Sequence, residues 1–326
     1  MHAVVMREFG GPAVLRPGEF PDPPARPGWA TVALRASALN WHDVLVRQGR
    51  YRSPLPHIIG ADGAGVRTDT GEEVVVLPSL NWGDRDDAPA RGWEILGDHT
   101  PGTYAELVSV PADCLAAKPA GFSWAEAAAL PLVGVTTYRA LFTRGRLRSG
   151  ESMLVVGAGG GIATMAIALA VAAGASIAVT SSSPDTIERA VAEGARGGVL
   201  HSEPEWPEHA LAMSPNNEGF DLILDPVGRW NQSVRGLRPG GRLVALGANA
   251  AETAPMDVRK FYFGQFDLLG TTMGSSRDFA GLLNMFERCS VRAPVIDREF
   301  PLDRAAEAHE HLEHGRTFGK CVLIHD

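Results

Sequence analysis

Apolar and polar positions alternate weakly in MHAVVMREF and more plainly from about Ala30, after PDPPARPG. Both stretches predict strands, separated by a proline-rich turn. Trp41–Arg50 reads as a short helix. IIGADGAGVRTDTGEEVVVLPS reads as two strands joined by a tight polar turn, and GTYAELVSVPADCLAAKP as a further strand and turn. The period changes near Ser123. SWAEAAALPLVGVTTYRALFTRG predicts a helix, an interruption at Pro131 and a second helix, with Ser123 and Glu126 at capping-box spacing. From Met153 to Thr272 the short apolar runs MLVVG, ASIAVT, GGVL, FDLILD, GRLVALG and FDLLGTT alternate with helical stretches, clearest at Ile162–Ala173 and Asp185–Glu193. That alternation predicts a parallel sheet covered on both faces. After Gly274 come a helix (RDFAGLLNMFER), a strand (PVIDREF), a helix (LDRAAEAHEHLEHG) and a strand (KCVLIHD). These are free to return to the β-rich part, which would make the α/β unit an insert.

Length and composition narrow the picture. The 326 residues suffice for about two domains. Apolar residues make up 45% and the formal net charge is −8, so nucleic acid and anionic membrane are disfavoured as partners. Cys114, Cys289 and Cys321 are far apart and show neither zinc nor redox spacing, which suits reduced thiols. No signal peptide is recognisable, and the apolar run Ile162–Ala173 falls short of the roughly 20 residues a membrane span needs. A cytoplasmic location is the expectation.

The densest chemistry lies in VVGAGGGIATMAIALA. A buried strand, a glycine loop and a helix in that order form the context of a dinucleotide fingerprint. The spacing Gly157, Gly160, Ala163 fits better than one ending on Ile162. Gly157, Gly159, Gly160, Gly161, Ile162 and Ala163 are therefore the candidate pyrophosphate contacts. At the end of the next strand stand Thr180, Ser181, Ser182 and Ser183, with no carboxylate before Asp185. Hydroxyls suit a ribose 2′-phosphate and a carboxylate would repel it, so NADP(H) is favoured over NAD(H). Arg189 is the candidate cation for that phosphate. No nucleophile elbow, P-loop or H-E-x-x-H occurs, and HEHLEHG, with His309, His311 and His314, reads as a solvated surface.

Several blocks in one order resemble the medium-chain dehydrogenase/reductase family, in particular its zinc-independent quinone-oxidoreductase-like branch. They are ALNWHDVLVRQGRY, IIGADGAGV, GTYAELVSVPAD, SWAEAAALPLVGVTTYRAL, the Gly157 loop, FDLILDPVG, LRPGGRLVALG, LLGTTMGS and FGKCVLIHD. The resemblance implies a GroES-like catalytic domain (residues 1–121 and 273–326) interrupted by a Rossmann domain (122–272), with the active site in the cleft between them. It also implies homodimers or homotetramers.

The zinc branches of this family place a cysteine ligand where this chain has Asn40, and a histidine ligand where it has Ala61, beside Asp62. A four-cysteine lobe is also missing. No metal is therefore expected. The resemblance instead lines or orders the site with Asn40, Asp43, Tyr51 and Thr136. Asn40 and Tyr51 are the expected hydrogen-bond donors to a substrate carbonyl, and Asp43 the orienting group. Further cofactor contacts are implied at Thr136; at Gly247, Ala248 and Asn249; at Thr271, Thr272 and Met273; and at Phe318, Gly319 and Lys320, whose ammonium could meet the 2′-phosphate. Thr186 stands where relatives often carry a lysine, which leaves room for NAD(H) as well. The expectation is an NADPH-dependent reductase of a quinone, enone or carbonyl compound, with final protonation from water. An alcohol dehydrogenase and a non-catalytic NADPH-binding sensor are the alternatives.

Overall fold

The computed structural model describes residues 1–315 and 317–325; Arg316 and Asp326 lie outside the described residues. In chain order the first half holds β1 (His2–Met6), β2 (Leu15–Glu19), β3 (Trp29–Ala38), α1 (Trp41–Arg47), β4 (Asp62–Arg67), β5 (Glu73–Val76), β6 (Ser79–Leu80), β7 (Glu94–Ile95), β8 (Leu107–Pro111), β9 (Leu115–Ala117), α2 (Trp124–Ala129) and α3 (Pro131–Tyr138). Then come β10 (Ser152–Val155), α4 (Gly161–Ala172), β11 (Ser176–Ser181), α5 (Pro184–Ala192), β12 (Gly198–Leu200), α6 (Trp206–Leu211), β13 (Phe220–Asp225), α7 (Trp230–Ser233), β14 (Leu237–Ala245), α8 (Val258–Gly264) and β15 (Asp267–Gly270). The chain finishes with α9 (Ser276–Arg288), β16 (Ile296–Pro301), α10 (Ala305–Glu313) and β17 (Lys320–Ile324).

The chain divides into two units: Met1–Val135 with Gly274–Leu283 and Ala293–Asp326, and Thr136–Met273 with Asn284–Arg292. The first unit is the GroES-like one. Its main sheet runs β16-β17-β3-β4-β5-β9, with β8 paired to the other end of β3. The C-terminal segment does return: Val322, Leu323 and Ile324 pair antiparallel with Ala38, Ser37 and Ala36. Val4, Met6, Leu39, Ile58, Tyr104, Phe300 and Leu323 belong to one buried cluster, which ties the ends of the chain together.

The second unit is a six-stranded parallel sheet in the order β12-β11-β10-β13-β14-β15. Renumbered from β10, this is 3-2-1-4-5-6, the doubly wound dinucleotide order. Helix α4 is apolar almost throughout and buries residues 163–167, Leu169 and Ala170, leaving Val171 exposed near its end, so most of its surface is packed into the core. The topological switch point falls between β10 and β13, and β10 feeds the glycine loop directly.

Two boundaries differ from the sequence reading, which began the dinucleotide domain at residue 122 and assigned 273–326 whole to the catalytic domain, whereas Asn284–Arg292 sits with the second unit. Residues 122–135 sit with the first unit. The Ser123–Glu126 capping box forms as expected, with Glu126 Oε2 accepting Ser123 N–H at 2.8 Å. The helix it starts buries Ala125, Ala127, Ala128 and Ala129 and packs against β3 and β4. The backbone N–H of Leu132, just after the Pro131 break, donates to Asp62 Oδ1 at 2.7 Å. That charge-assisted bond within the first unit holds the segment there.

Candidate functional site

The second unit offers a dinucleotide cradle. Gly157 adopts φ +92°, a conformation that a side chain would strain. Gly160 is the N-cap of α4, with no side-chain cap, and a Cβ built there would meet nothing within 4 Å. The first intrahelical acceptor, Gly160 O, is taken by Thr164 N–H, so the N–H groups of Gly161, Ile162 and Ala163 lack intrahelical partners. Open backbone donors on a buried helix, with the positive end of its dipole behind them, fit a pyrophosphate. Ala163 is buried, as close helix–sheet contact requires. A second sign is Thr271, whose buried Oγ1 has no hydrogen-bond partner. Met273 beside it holds φ +43°, strained for a non-glycine residue, and accepts a long bond from Thr136 Oγ1 at 3.7 Å. These residues fit the cofactor that the fold implies.

The residues after β11 separate into two pairs. Thr180 is fully buried. Its Oγ1 accepts Gly157 N–H at 3.0 Å and so donates to His201 Nδ1 at 2.9 Å. Burial, reinforced by Arg229, lowers the His201 pKa, consistent with a neutral accepting ring. Ser181 Oγ accepts the N–H of Ser183 at 3.1 Å. Thr180 and Ser181 therefore brace the loop instead of meeting a phosphate, which corrects the reading of all four as ligands. Ser182 is exposed and Ser183 half-buried, with Arg189 exposed on the helix that follows. Ala248 and Asn249 are exposed as well. A Cβ on Gly247 would meet Pro226 O at 2.0 Å, so glycine is dictated there by the Pro226 backbone. Asp225 is a cap: its carboxylate accepts from the backbone of Val227, Gly228 and Arg229 and from Ser233 Oγ.

In the first unit, Asn40, Asp62 and Lys320 form one buried cluster. Lys320 Nζ lies 2.5 Å from Asn40 Oδ1 and 3.0 Å from Asp62 Oδ2. Asn40 Nδ2 donates to Asp62 Oδ2 at 2.9 Å and, at 3.4 Å, to Ala38 O. Three expectations change here. Lys320 is neither surface nor available to a 2′-phosphate, being 4% exposed and ion-paired. Asn40 has its amide hydrogens engaged internally, so it positions its neighbours rather than donating to a carbonyl. Gly319 has φ +106°, and a Cβ there would meet Val295 O at 2.2 Å, while Phe318 is buried and donates its N–H to Asp297 Oδ1. Both therefore serve the packing of their own unit.

The same cluster tests the zinc that relatives carry. Ala61 offers no donor, and the oxygens of Asn40 and Asp62 already hold an ammonium. A dication would face that cation with one carboxylate and one amide, a set that does not fit Zn²⁺.

Asp43 starts a second chain of polar contacts. Its Oδ2 accepts the N–H of Asn40 at 2.8 Å and the hydroxyl of Tyr104 at 3.3 Å. Tyr104 contacts His309 Nε2 at 3.1 Å, and Arg47 Nη1 meets His309 Nδ1 at 3.1 Å. Arginine only donates, so Nδ1 accepts, Nε2 carries the proton and donates to Tyr104, and Tyr104 donates to Asp43. Burial, then the Arg47 charge, pushes His309 down to about 3. Burial pushes Asp43 up to about 6 against the opposing pull of His42, the Asn40 N–H and Lys320.

Sequence reasoning found no acid–base group, and the structure supplies one. His42 Nε2 lies 2.6 Å from Asp98 Oδ1, and its ring centroid is 4.8 Å from that of Tyr51. Burial pulls its pKa down, but the Asp98 hydrogen bond and charge outweigh it and the net shift is upward. Tyr51 is 42% exposed. The missed signal was His42 inside ALNWHD; its partner is 56 residues away and carries no motif.

Residues 26–120 match the family model for an alcohol dehydrogenase GroES-like domain, and residues 207–323 that for a zinc-binding dehydrogenase. A zinc-type alcohol dehydrogenase-like protein of Schizosaccharomyces pombe is 30% identical, with 98% of each chain covered. The quinone oxidoreductase of Mus musculus is 30% identical over 99% of this chain and 98% of its own. Among solved structures, an NAD-dependent alcohol dehydrogenase superposes with a TM-score of 0.92 at 35% identity, with 99% of both chains covered. With a doubly wound nucleotide unit, a GroES-like unit and full-length relatives of both kinds, the chain belongs to the medium-chain dehydrogenase/reductase superfamily, in its quinone-oxidoreductase-like branch.

Proposed function

We propose that this oxidoreductase is a zinc-independent, NAD(P)H-dependent reductase of a small electrophile, a quinone or an activated enone before a simple carbonyl compound. The observation that carries the reading is the uncapped head of α4, with Gly160 open to solvent and three backbone donors unspent. When bound, the nicotinamide supplies a hydride from C4. The chain's own groups do the rest. The α4 amides hold the pyrophosphate, and Ser182, Ser183 and Arg189 favour a 2′-phosphate, hence NADPH over NADH. Tyr51 donates its hydroxyl to the substrate oxygen. His42, with its pKa raised by Asp98, delivers the proton that balances the hydride, a role the sequence reading left to water. Asn40, Asp43 and Lys320 are positioning residues.

The location is proposed to be cytoplasmic, and no described helix is long and apolar enough to cross a membrane. The partner is a second copy of the chain. Strand β15 ends the parallel sheet, paired on one side only among the described residues. The preceding helix α8 exposes Val258 (68%), Tyr262 (53%) and Phe263 (68%), a patch that pairing would cover.

The test is oxidation of NADPH and NADH against quinones, enones, aldehydes and ketones, as a function of pH, with bound zinc quantified. Turnover of NADPH with a quinone or enone is expected, falling as pH rises through the His42 pKa. That limb should disappear in His42→Asn. NADPH binding with no turnover of any acceptor would favour the sensor. Turnover confined to alcohols would favour the dehydrogenase, and binding of neither nucleotide would overturn the proposal.

A further inference from the structure

Among the described residues, one group of three potential metal ligands from different elements converges: Asp297 on β16, His311 on α10 and Cys321 on β17. One donor atom from each lies within 4.8 Å of the others. The cluster belongs to the first unit and shares no residue with the Asn40–Asp62–Lys320 cluster. We propose that it is a binding site for one Zn²⁺-class transition metal ion, held by the Cys321 thiolate, a His311 ring nitrogen and the Asp297 carboxylate, with water as the fourth ligand.

The donor chemistry argues for that ion class. Thiolate, imidazole and carboxylate together suit zinc and its neighbours, whereas calcium and magnesium take oxygen ligands. The three donors lie within 4.8 Å of one another, so binding draws the Cys321 sulfur inward and opens the His311–Asp297 pair. A tetrahedral centre with bonds of ~2.0–2.1 Å keeps its ligand atoms about 3.3 Å apart. His311 Nε2 and Asp297 Oδ2 are now 2.8 Å apart, joined by a hydrogen bond. Exchanging that proton for a metal opens the pair by about half an ångström, within the reach of small side-chain rotations. The carboxylate is already oriented, because its other oxygen accepts Phe318 N–H at 2.9 Å, the kind of outer contact that fixes a ligand. Burial is graded in the direction an entry path requires. Cys321 is 1% exposed, the Asp297 side chain 11% and the His311 side chain 29%, so His311 is the member of the cluster nearest solvent. Burial, then the Asp297 charge, pushes the Cys321 thiol up to about 12 without a metal, against the opposing pull of Lys320 and Arg298, so an arriving ion has to displace the thiol proton as it binds.

Such an ion would clip α10 and β16 to β17. Lys320 is the neighbour of Cys321 on β17, so the clip would also fix the strand that carries the buried ammonium. HEHLEHG reads from the sequence as a solvated surface. The structure gives His311 a different set of neighbours.

The experiment uses the full chain after chelator treatment and dialysis, titrated with Zn²⁺ by calorimetry and with Co²⁺ by absorption. One equivalent should bind. The Co²⁺ form should show tetrahedral d–d bands and a sulfur-to-metal charge-transfer band. The thermal midpoint should rise with Zn²⁺ concentration. His311→Ala lies at the half-exposed edge and should fold normally, yet lose more affinity than the roughly 10–100-fold typical of an outer-shell partner. Cys321→Ser should lose the charge-transfer band, and Asp297→Asn should weaken binding. Absence of a stoichiometric site, weak adventitious binding only, or one equivalent retained at full affinity in both His311→Ala and Cys321→Ser would overturn the site. None of these outcomes depends on nicotinamide turnover.

Discussion

The polar groups around Asn40 and Asp43 in the first unit are turned upon one another; those at the head of α4 are not. Asn40, Asp62 and Lys320 satisfy each other in a volume almost closed to solvent, and Asp43, Tyr104, His309 and Arg47 form a second closed chain. In the second unit Gly160 has no side chain to cap the helix, Thr271 keeps a buried hydroxyl without a partner, and Ser182 stands exposed. The difference teaches where to look for a ligand. A group whose hydrogen bonds are complete holds a shape, and a group left incomplete by a fold that could have completed it is available for binding. By that criterion the head of α4 reads as a binding surface, whereas Asn40 and Lys320 read as the internal frame of their own unit.

The comparison breaks most sharply at Lys320. Lys320→Met removes the only cation that the described residues place against Asp62 and leaves a buried carboxylate uncompensated. The expected loss is about 3–5 kcal/mol in chemical denaturation. Adding Asp62→Asn should recover part of it, because the amide keeps an acceptor for Leu132 N–H without a buried charge. A single variant with wild-type stability would show that the cluster is wet and open, closer in kind to the nucleotide site.

A smaller effect separates the two ends of the Asp43–His309 chain by pH. Asp43 is raised from 3.8 to about 6, so between those values the native state holds more protons and stability falls as pH rises. His309 is lowered from 6.5 to about 3, so between those values the unfolded state holds more protons and stability rises with pH. From about pH 4 to 6 the two slopes oppose each other and the wild type should be nearly flat in this contribution. Asp43→Asn should expose the His309 slope, with stability rising across that window by up to about 3 kcal/mol. His309→Gln should expose the opposite slope. Parallel profiles for the two variants would break the assignment.

What the sequence disclosed follows from the range of each signal. The parallel sheet of the second unit was legible because each buried strand is a short apolar run bounded by its own turn, as in FDLILD before Pro226; its 3-2-1-4-5-6 order is long-range and came from the structure. The cradle was legible because a glycine at a left-handed position is a local demand, met at Gly157. The internal use of Lys320 was not, since Asn40 and Lys320 are 280 residues apart and only the return of β17 beside β3 brings them together. His42 was passed over for the same reason, its partner Asp98 lying outside any motif. Helix α8 was missed because VRKFYFG presents its aromatics outward, without the buried stripe that marks a helix in a sequence.

The most discriminating prediction is the one in which stability and binding move in opposite directions. Gly160 has φ −79° and ψ 164°, the extended geometry of an N-cap, and open space where a Cβ would go. Aspartate is among the best N-caps, so Gly160→Asp should leave the fold intact and raise stability by a few tenths of a kcal/mol. Its carboxylate would occupy the same backbone donors that a pyrophosphate needs and would add like charge beside it. NADPH and NADH affinity should each fall about 100-fold, or roughly 2.7 kcal/mol, measured by fluorescence or calorimetry alongside thermal unfolding. A structural turn would show the gain in stability without the loss of binding. If both nucleotides bind Gly160→Asp as they do the wild type, the head of α4 is closed chemistry like the Lys320 cluster, and the contrast between the two units disappears.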